Sequence, residues 1–121
     1  MICLVTDRRR LSSGADAADR LVDLVAAAAG AGVDLIQVRE RDLEAGELAS
    51  LVRRCVDAVR GTDVKVVVND RADVALAGGA HGVHLRSDSI AALTIRALLP
   101  SNALVGRSVH SAEEAAAVSR A

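Results

Sequence analysis

The sequence predicts an α/β fold in which five strands alternate with helices and form one parallel sheet. Two observations predict it. Short apolar runs, typical of strands buried on both faces, alternate with longer stretches whose apolar residues follow helical spacing. The connections are short, and glycine or proline stands where helices should end. Residues 1–121 are therefore interpreted as part of a single domain, with no linker between subdomains.

Each predicted strand is an apolar run bounded by polar or glycine residues. The run at 2–7 ends in polar residues, as a buried parallel strand should, and the run at 64–68 is rich in β-branched side chains. The predicted strands cover residues 2–7, 35–39, 64–68, 82–85 and 103–109.

The helices are predicted from apolar spacing and from their end signals. Asp16 and Asp70 are expected to cap the first and third helices, while Gly61 and Pro100 end the second and fourth. A capping-box pattern at Ser111 opens a fifth helix. The predicted helices cover residues 16–29, 48–59, 70–76 and 90–99. The second is the clearest, because its apolar residues recur at helical spacing: Leu48, Leu51, Val52, Cys55, Val56 and Val59.

Two ways of closing such a sheet are open at this stage. A five-stranded doubly wound sheet would be complete at this length, whereas a barrel needs eight β/α units and usually about 200 residues or more. Alternation alone does not choose between them, and length favours the doubly wound sheet.

Composition narrows the classes of partner. The formal net charge is −1, no basic tract stands out, and the chain has no aromatic residue, so nucleic acid and membrane surfaces are not expected partners. Cys3 and Cys55 are predicted to be free thiols of a reducing compartment. No membrane-spanning segment and no signal peptide are expected, and a cytoplasmic location follows as the default.

Polar side chains follow the second strand at its carboxyl end. Alternation places Gln37, Arg39 and Arg41 on one face, where guanidinium and amide groups suit an oxyanion such as phosphate or diphosphate. A solvated strand end with local salt bridges is the alternative, and these residues alone favour it.

Further candidates follow the later strands. Asn69 and Asp70 could hold diphosphate oxygens and Mg²⁺, or Asp70 could simply cap the next helix. Asp88 is a candidate second Mg²⁺ ligand, and Ser108 could donate a hydrogen bond to an oxyanion. His84 could be a general acid or base, although a structural histidine is the commoner case.

Alternation along the fifth predicted strand places Gly106, Ser108 and His110 on one face. No acid is placed beside the histidine, so Ser108 and His110 do not predict a hydrolase triad.

Taken in series, these segments resemble the thiamine phosphate synthase and thiazole tautomerase (TenI-like) family. The similar motifs are Val-Thr-Asp at 5–7, Gln-Val-Arg-Glu-Arg at 37–41, Val-Asn-Asp-Arg at 68–71, Gly-Val-His-Leu at 82–85 and Gly-Arg-Ser-Val-His-Ser at 106–111. They span the whole chain in the family's order. The resemblance implies a (β/α)₈ TIM barrel of which this chain carries about the first five β/α units, so that strands six to eight have no counterpart here.

The resemblance also implies a reaction. The synthase joins hydroxymethylpyrimidine diphosphate to thiazole phosphate, with Mg²⁺, and releases diphosphate. By resemblance, Gln37, Arg39, Arg41 and Asn69 bind the diphosphate substrate, and Ser108 also contacts substrate. Arg39, Arg41 and Ser108 would be the catalytic residues. The implied metal ligands are Asp70 and Asp88.

The chain departs from the family pattern at two points. Arg41 replaces a lysine, which keeps the charge and changes the geometry. Residues 86–89 are Arg-Ser-Asp-Ser where the synthases usually have Gly-Gln-x-Asp, so Asp88 stands one place early for a second metal ligand.

Two other hypotheses stay open. The first is a thiazole tautomerase, although the catalytic histidine of that branch follows the sixth strand. The second is a non-catalytic phosphate-binding barrel fragment, which is the favoured hypothesis for an isolated chain of this length. Because five strands cannot close a barrel, a homo-oligomer or self-association through the open barrel edge is expected.

Overall fold

The structure, a computed structural model, describes residues 2–85 and 102–107. Within them the five predicted strands are all present and parallel. The first and second are shorter than predicted, the fifth begins one residue later, and its predicted end at 108–109 lies outside the described residues. The strands are β1 Cys3–Val5, β2 Leu35–Val38, β3 Lys65–Asn69, β4 Gly82–Leu85 and β5 Leu104–Arg107.

Three of the predicted helices connect these strands. They are α1 Ala17–Gly30, α2 Ala45–Ala58 and α3 Ala72–Gly78, and a single 3₁₀ turn at Arg8–Arg10 follows β1. The α2 helix begins at Ala45, before its first buried residue, Leu48. The apolar spacing did not predict this start, because the first turn of the helix is exposed. The predicted helices at 90–99 and from 111 onwards lie outside the described residues.

The strand order distinguishes the two closures that the sequence left open. The sheet runs β1-β2-β3-β4-β5, so each strand pairs with the next one along the chain. A doubly wound sheet reverses direction at a switch point, which this order does not contain. Sequential order with a helix between neighbouring strands is the winding of a β/α barrel. The doubly wound sheet, which chain length favoured, is therefore not the arrangement of the described strands.

The core lies between one face of the sheet and the helices. Alternate strand residues, such as Ile36 on β2, Val66 on β3 and Val83 on β4, are fully buried against Leu21 of α1 and Val52 of α2. The intervening residues point to the opposite face, which a complete barrel would enclose. This second face carries the polar strand residues that matter for function: Gln37, Asn69 and His84.

The predicted helix caps are confirmed only in part. Asp16 stands at the N-cap position of α1, as predicted, but its carboxylate makes no capping hydrogen bond, since it is bonded to Ser12 and Arg20. Asp70 does not cap α3 either, because Arg71 stands at the N-cap position and Asp70 adopts a left-handed backbone conformation, with φ of 59°. The Asp70 amide instead donates to the carbonyl of His84 (2.8 Å), which ties the end of β3 to β4.

The two cysteines are free thiols, as predicted. Cys55 lies in the core, where burial raises the pKa of its thiol to about 12 and leaves it unreactive at neutral pH. None of the helices within the described residues combines the length and hydrophobicity that crossing a bilayer requires.

His81 makes the stability of the fold depend on pH. Its Nδ1 accepts the Val66 amide hydrogen (2.9 Å), and burial, with the charge of Lys65, lowers the pKa of the ring below its ordinary value of 6.5. The unfolded chain therefore binds a proton more readily than the folded one, so stability falls as the pH drops below about 6.5. Urea unfolding between about pH 5.5 and 7.5 should show this slope.

His81→Asn is the matched variant, because the asparagine oxygen replaces the acceptor and does not titrate. The slope should be shallower in this variant, and burial of His84, whose pKa is also lowered, accounts for part of what is left. An unchanged slope would contradict the assignment to His81.

Candidate active site

Two neighbouring clefts open at the carboxyl ends of the strands, where β/α barrels place their active sites. The β2–β3 cleft has a volume of about 190 Å³. Its polar lining comes from Glu40, Arg41, Asn69, Asp70 and Arg71, and the rest of its lining is apolar. The structure thus brings together three predicted site residues that follow two different strands.

The β1–β2 cleft is larger, with a volume of about 420 Å³. Arg39 and Arg41 line it together with Arg9 and Arg10, which lie on the 3₁₀ turn after β1. Arg41 lines both clefts, so it forms part of the wall between them. The arginines of the 3₁₀ turn were not among the predicted site residues, because no strand pattern leads into them.

The arginines differ in how their charge is compensated. Arg10 pairs with Asp7 (3.3 Å) in the β1–β2 cleft. Within the described part of the chain, neither Arg39 nor Arg41 forms an ion pair, and neither does Arg9. Guanidinium groups without a protein counter-charge beside a cleft attract an anionic ligand. The alternative of a strand end neutralised by local salt bridges is therefore not supported for Arg39 and Arg41.

Gln37 lies on the open face of β2, in register with Val5 of β1 and Val67 of β3. Its exposure is only 9%, and its side-chain amide has no hydrogen-bond partner among residues 2–85 and 102–107. A buried amide without a partner is the usual state of a group that binds a ligand or a later part of the fold. Gln37 lines neither cleft; it lies within β2, two residues before Arg39 and so further from the carboxyl end of the strand.

The sequence did not identify Glu40 as a structural centre of the site. This carboxylate is 4% exposed although it lies between two exposed arginines. Its Oε2 accepts the Thr6 hydroxyl (2.7 Å), and its Oε1 accepts both the amide and the guanidinium of Arg8 (3.0 Å each). Thr6, itself 3% exposed, accepts the amide hydrogen of Arg39 (3.1 Å). These bonds join the loop after β1 to the loop after β2.

Arg8 extends this network to the surface. Its guanidinium binds both carboxylate oxygens of Asp42 (2.7 and 2.8 Å) in a fork-like pair, while Nη1 also reaches Glu40. The bond to Arg8 lowers the pKa of Asp42 to about 2, and the same contacts raise the pKa of Arg8. Arg8 is thus committed to protein carboxylates, in contrast to Arg39 and Arg41.

His84 lies on the open face of β4, between one residue of β3 and one residue of β5. It is in register with Asn69 of β3 and Gly106 of β5, and burial lowers the pKa of its imidazole, which favours the neutral ring at pH 7. Its predicted role as an acid or base stays a prediction. Asp88, Ser108 and His110 lie outside the described residues. Among the described residues, no cluster of three or more histidine, cysteine or acidic side chains could hold a metal ion.

The chain is similar to proteins of one kind. A family model described as thiamine monophosphate synthase matches residues 2–121. A thiamine-phosphate synthase of Solidesulfovibrio magneticus is 41% identical over 114 residues, which cover 94% of this chain and 52% of that protein. One from Anaeromyxobacter dehalogenans is 45% identical over 91 residues, covering 75% of this chain and 40% of that protein. The chain thus spans about half the length of the curated relatives it matches.

A solved structure gives the same answer for the fold. Thiamine phosphate pyrophosphorylase from Pyrococcus furiosus superposes with a TM-score of 0.83 at 28% identity, covering 98% of this chain and 55% of the other. The predicted TIM-barrel type, present here as a partial barrel, is confirmed. The sequential sheet, the clefts at the strand ends and these similarities agree, and the chain belongs to the thiamine monophosphate synthase family.

Proposed function

We propose that the whole protein is a thiamine phosphate synthase, which joins hydroxymethylpyrimidine diphosphate to thiazole phosphate and releases diphosphate. The observation that carries the proposal is that Arg41 lines a cleft with Asn69 and Asp70 and a second cleft with Arg39. Two arginines without a protein counter-charge, an amide and a carboxylate are the groups that a magnesium diphosphate needs. The named relatives support the same reaction.

The chemistry depends on stabilising a leaving group. The carbon–oxygen bond between the pyrimidine methylene and the diphosphate breaks, its electron pair leaves with the diphosphate, and the thiazole nitrogen forms the new carbon–nitrogen bond. Arg39 and Arg41 would hold the diphosphate and offset the negative charge that it gains. The Asn69 amide would donate a hydrogen bond to a phosphate oxygen, and Gln37 would bind from its position within β2.

Mg²⁺ fits this site through Asp70. Mg²⁺ is usually held by one or two carboxylates together with substrate phosphates, and it supplies charge stabilisation to the leaving diphosphate. Asp70 supplies a carboxylate to the lining of the β2–β3 cleft, beside Asn69. Asp88, the proposed second ligand, lies outside the described residues.

Loss of Arg41 is expected to weaken diphosphate binding. In Arg41→Gln, the whole protein should bind inorganic diphosphate about 10-fold or more weakly in the presence of Mg²⁺, since a hydrogen bond to a charged group contributes roughly 1.5–3 kcal/mol. Isothermal titration calorimetry measures the change. Arg60→Gln is the matched control. Arg60 follows α2, pairs with Asp57 and lines neither cleft, so this substitution should leave the affinity unchanged.

Equal affinity of Arg41→Gln and the wild type would contradict the proposed diphosphate site. Incubation of the whole protein with both substrates and Mg²⁺ tests the reaction itself, with thiamine phosphate as the expected product. Diphosphate binding without product would favour a phosphate-binding protein. Metal-independent isomerisation of a thiazole carboxylate phosphate would favour the tautomerase.

We also propose that the 121-residue chain self-associates through β1. Among the described residues β1 pairs on one side only, with β2. Its last residue, Val5 (47%), and Ile2 (62%), which directly precedes the strand, have exposed side chains. An unpaired apolar strand edge is a template for another chain. The melting temperature should rise with protein concentration, and a sharp melt that is independent of concentration would contradict the proposal.

A further inference from the structure

The two arginines of the site stand where strand pairing no longer fixes the backbone. The β2 strand ends at Val38, and Arg39, Glu40 and Arg41 follow it. Both arginines are exposed, and the residue between them is buried. Long exposed side chains lose binding energy to conformational freedom unless their backbone is held in place. Something other than the sheet must therefore hold residues 39–41.

Two groups on the other side of the β1–β2 cleft hold this segment. The Thr6 hydroxyl accepts the Arg39 amide hydrogen (3.1 Å) and donates to Glu40 (2.7 Å), so that one side chain fixes two successive residues. Arg8 supplies two further donors to the same carboxylate. Because Thr6 follows directly after β1, and its amide donates to the Gln37 carbonyl (3.0 Å), the network is anchored to the sheet.

We infer that Thr6 and Glu40 are positioning residues, which hold Arg39 and Arg41 in the geometry that binds diphosphate. The inference rests on the proposed function, because it concerns the same site. Thr6 and Glu40 would act through Arg39 and Arg41, although both also line the β1–β2 cleft.

Glu40 lines both clefts, but its carboxylate is already bonded within the protein. Its side chain is 2% exposed, and both oxygens accept hydrogen bonds from the protein. A carboxylate would repel a diphosphate if its charge were not offset, and Arg8 provides that offset at 3.0 Å. Glu40 thus fixes its neighbours and adds little net negative charge to the cleft.

Thr6 offers a matched pair of variants. Thr6→Val keeps the shape and removes the hydroxyl, which leaves the Arg39 amide and one Glu40 oxygen without their partner. Thr6→Ser keeps the hydroxyl. With the whole protein and inorganic diphosphate plus Mg²⁺ as the probe, we expect Thr6→Val to bind about 10-fold more weakly and Thr6→Ser to stay within about twofold of the wild type.

A second measurement separates positioning from a general loss of structure. If Thr6 acts by positioning Arg39 and Arg41, the Thr6→Val change should cost clearly less when Arg39 is already glutamine, because only the effect through Arg41 is left. The same loss in both backgrounds would indicate a merely structural effect and overturn the inference. If Thr6→Val fails to fold by circular dichroism, Glu40→Gln replaces it, because its NH₂ group removes one acceptor at similar volume.

The outcomes distinguish the inference from the proposed function. Binding by the wild type with equal affinity in Thr6→Val, or in Glu40→Gln where that variant is used, overturns the inference and leaves the proposed function standing. No diphosphate binding by the wild type overturns both. The positioning role is supported if binding is weaker in Thr6→Val, is recovered in Thr6→Ser, and if the loss caused by Thr6→Val is smaller in the Arg39→Gln background.

Discussion

Gly82→Ala is expected to lower the free energy of unfolding by about 3 kcal/mol, the upper part of the range for overpacked sites. A Cβ at Gly82 would lie 1.9 Å from the carbonyl oxygen of Leu104 and 2.6 Å from its carbonyl carbon. These are backbone atoms of β5, so relief requires the whole strand to move. Urea unfolding followed by circular dichroism measures the loss.

Gly46→Ala is the matched control for this prediction. Gly46 lies in the first turn of α2, and no atom comes within 4 Å of an added Cβ. Alanine there should stabilise the fold by about 0.5–1 kcal/mol, because it restricts the unfolded chain and suits a helix. If Gly82→Ala were as stable as Gly46→Ala, this result would contradict the close contact between Gly82 of β4 and the Leu104 backbone of β5.

The second large effect concerns Arg8. Arg8→Met keeps an apolar side chain of similar length and removes the guanidinium that offsets the buried Glu40. Breaking a buried ion pair by removing one partner typically costs about 3–5 kcal/mol, and we expect a value near the lower end because the Thr6 hydroxyl and the Arg8 amide still donate to Glu40. Thermal and urea unfolding at neutral pH measure the loss.

Asp42→Asn separates the two partners of Arg8. Asp42 is exposed, so removal of its charge should change the unfolding midpoint little, although its bonds to Arg8 are shorter than those of Glu40. The comparison therefore tests whether the burial of a carboxylate or its distance from Arg8 decides how much the ion pair stabilises the fold. Equal destabilisation by Arg8→Met and Asp42→Asn would contradict the view that Glu40 is the partner that matters.

Local patterns predicted the elements well, because each strand and helix leaves its own periodicity. The β4 range 82–85 follows directly from such a signal. The closure of the sheet did not follow. Buried parallel strands have the same sequence pattern in a barrel and in a doubly wound sheet. Only the serial motifs and the observed strand order distinguish the two folds.

The site was predictable where it depends on strand ends. Arg41, Asn69 and Asp70 converge because the carboxyl ends of parallel strands share one edge. The burial of Glu40 was not predictable, since its partners Thr6 and Arg8 lie 34 and 32 residues away in sequence. The cap assignment of Asp70 failed for a similar reason, because its backbone conformation is set by a bond to β4 rather than by its own helix.

The sequential strand order has a consequence for how the chain acquires its structure. Each described strand after β1 pairs with one that precedes it by at most 32 residues (Cys3 with Leu35), so each hydrogen-bonded pair can form as soon as its second strand has left the ribosome. The bonds from Thr6 and Arg8 to Glu40 close within the first such step. The arginine-bearing corner of the molecule can therefore be in place before the later strands are synthesised.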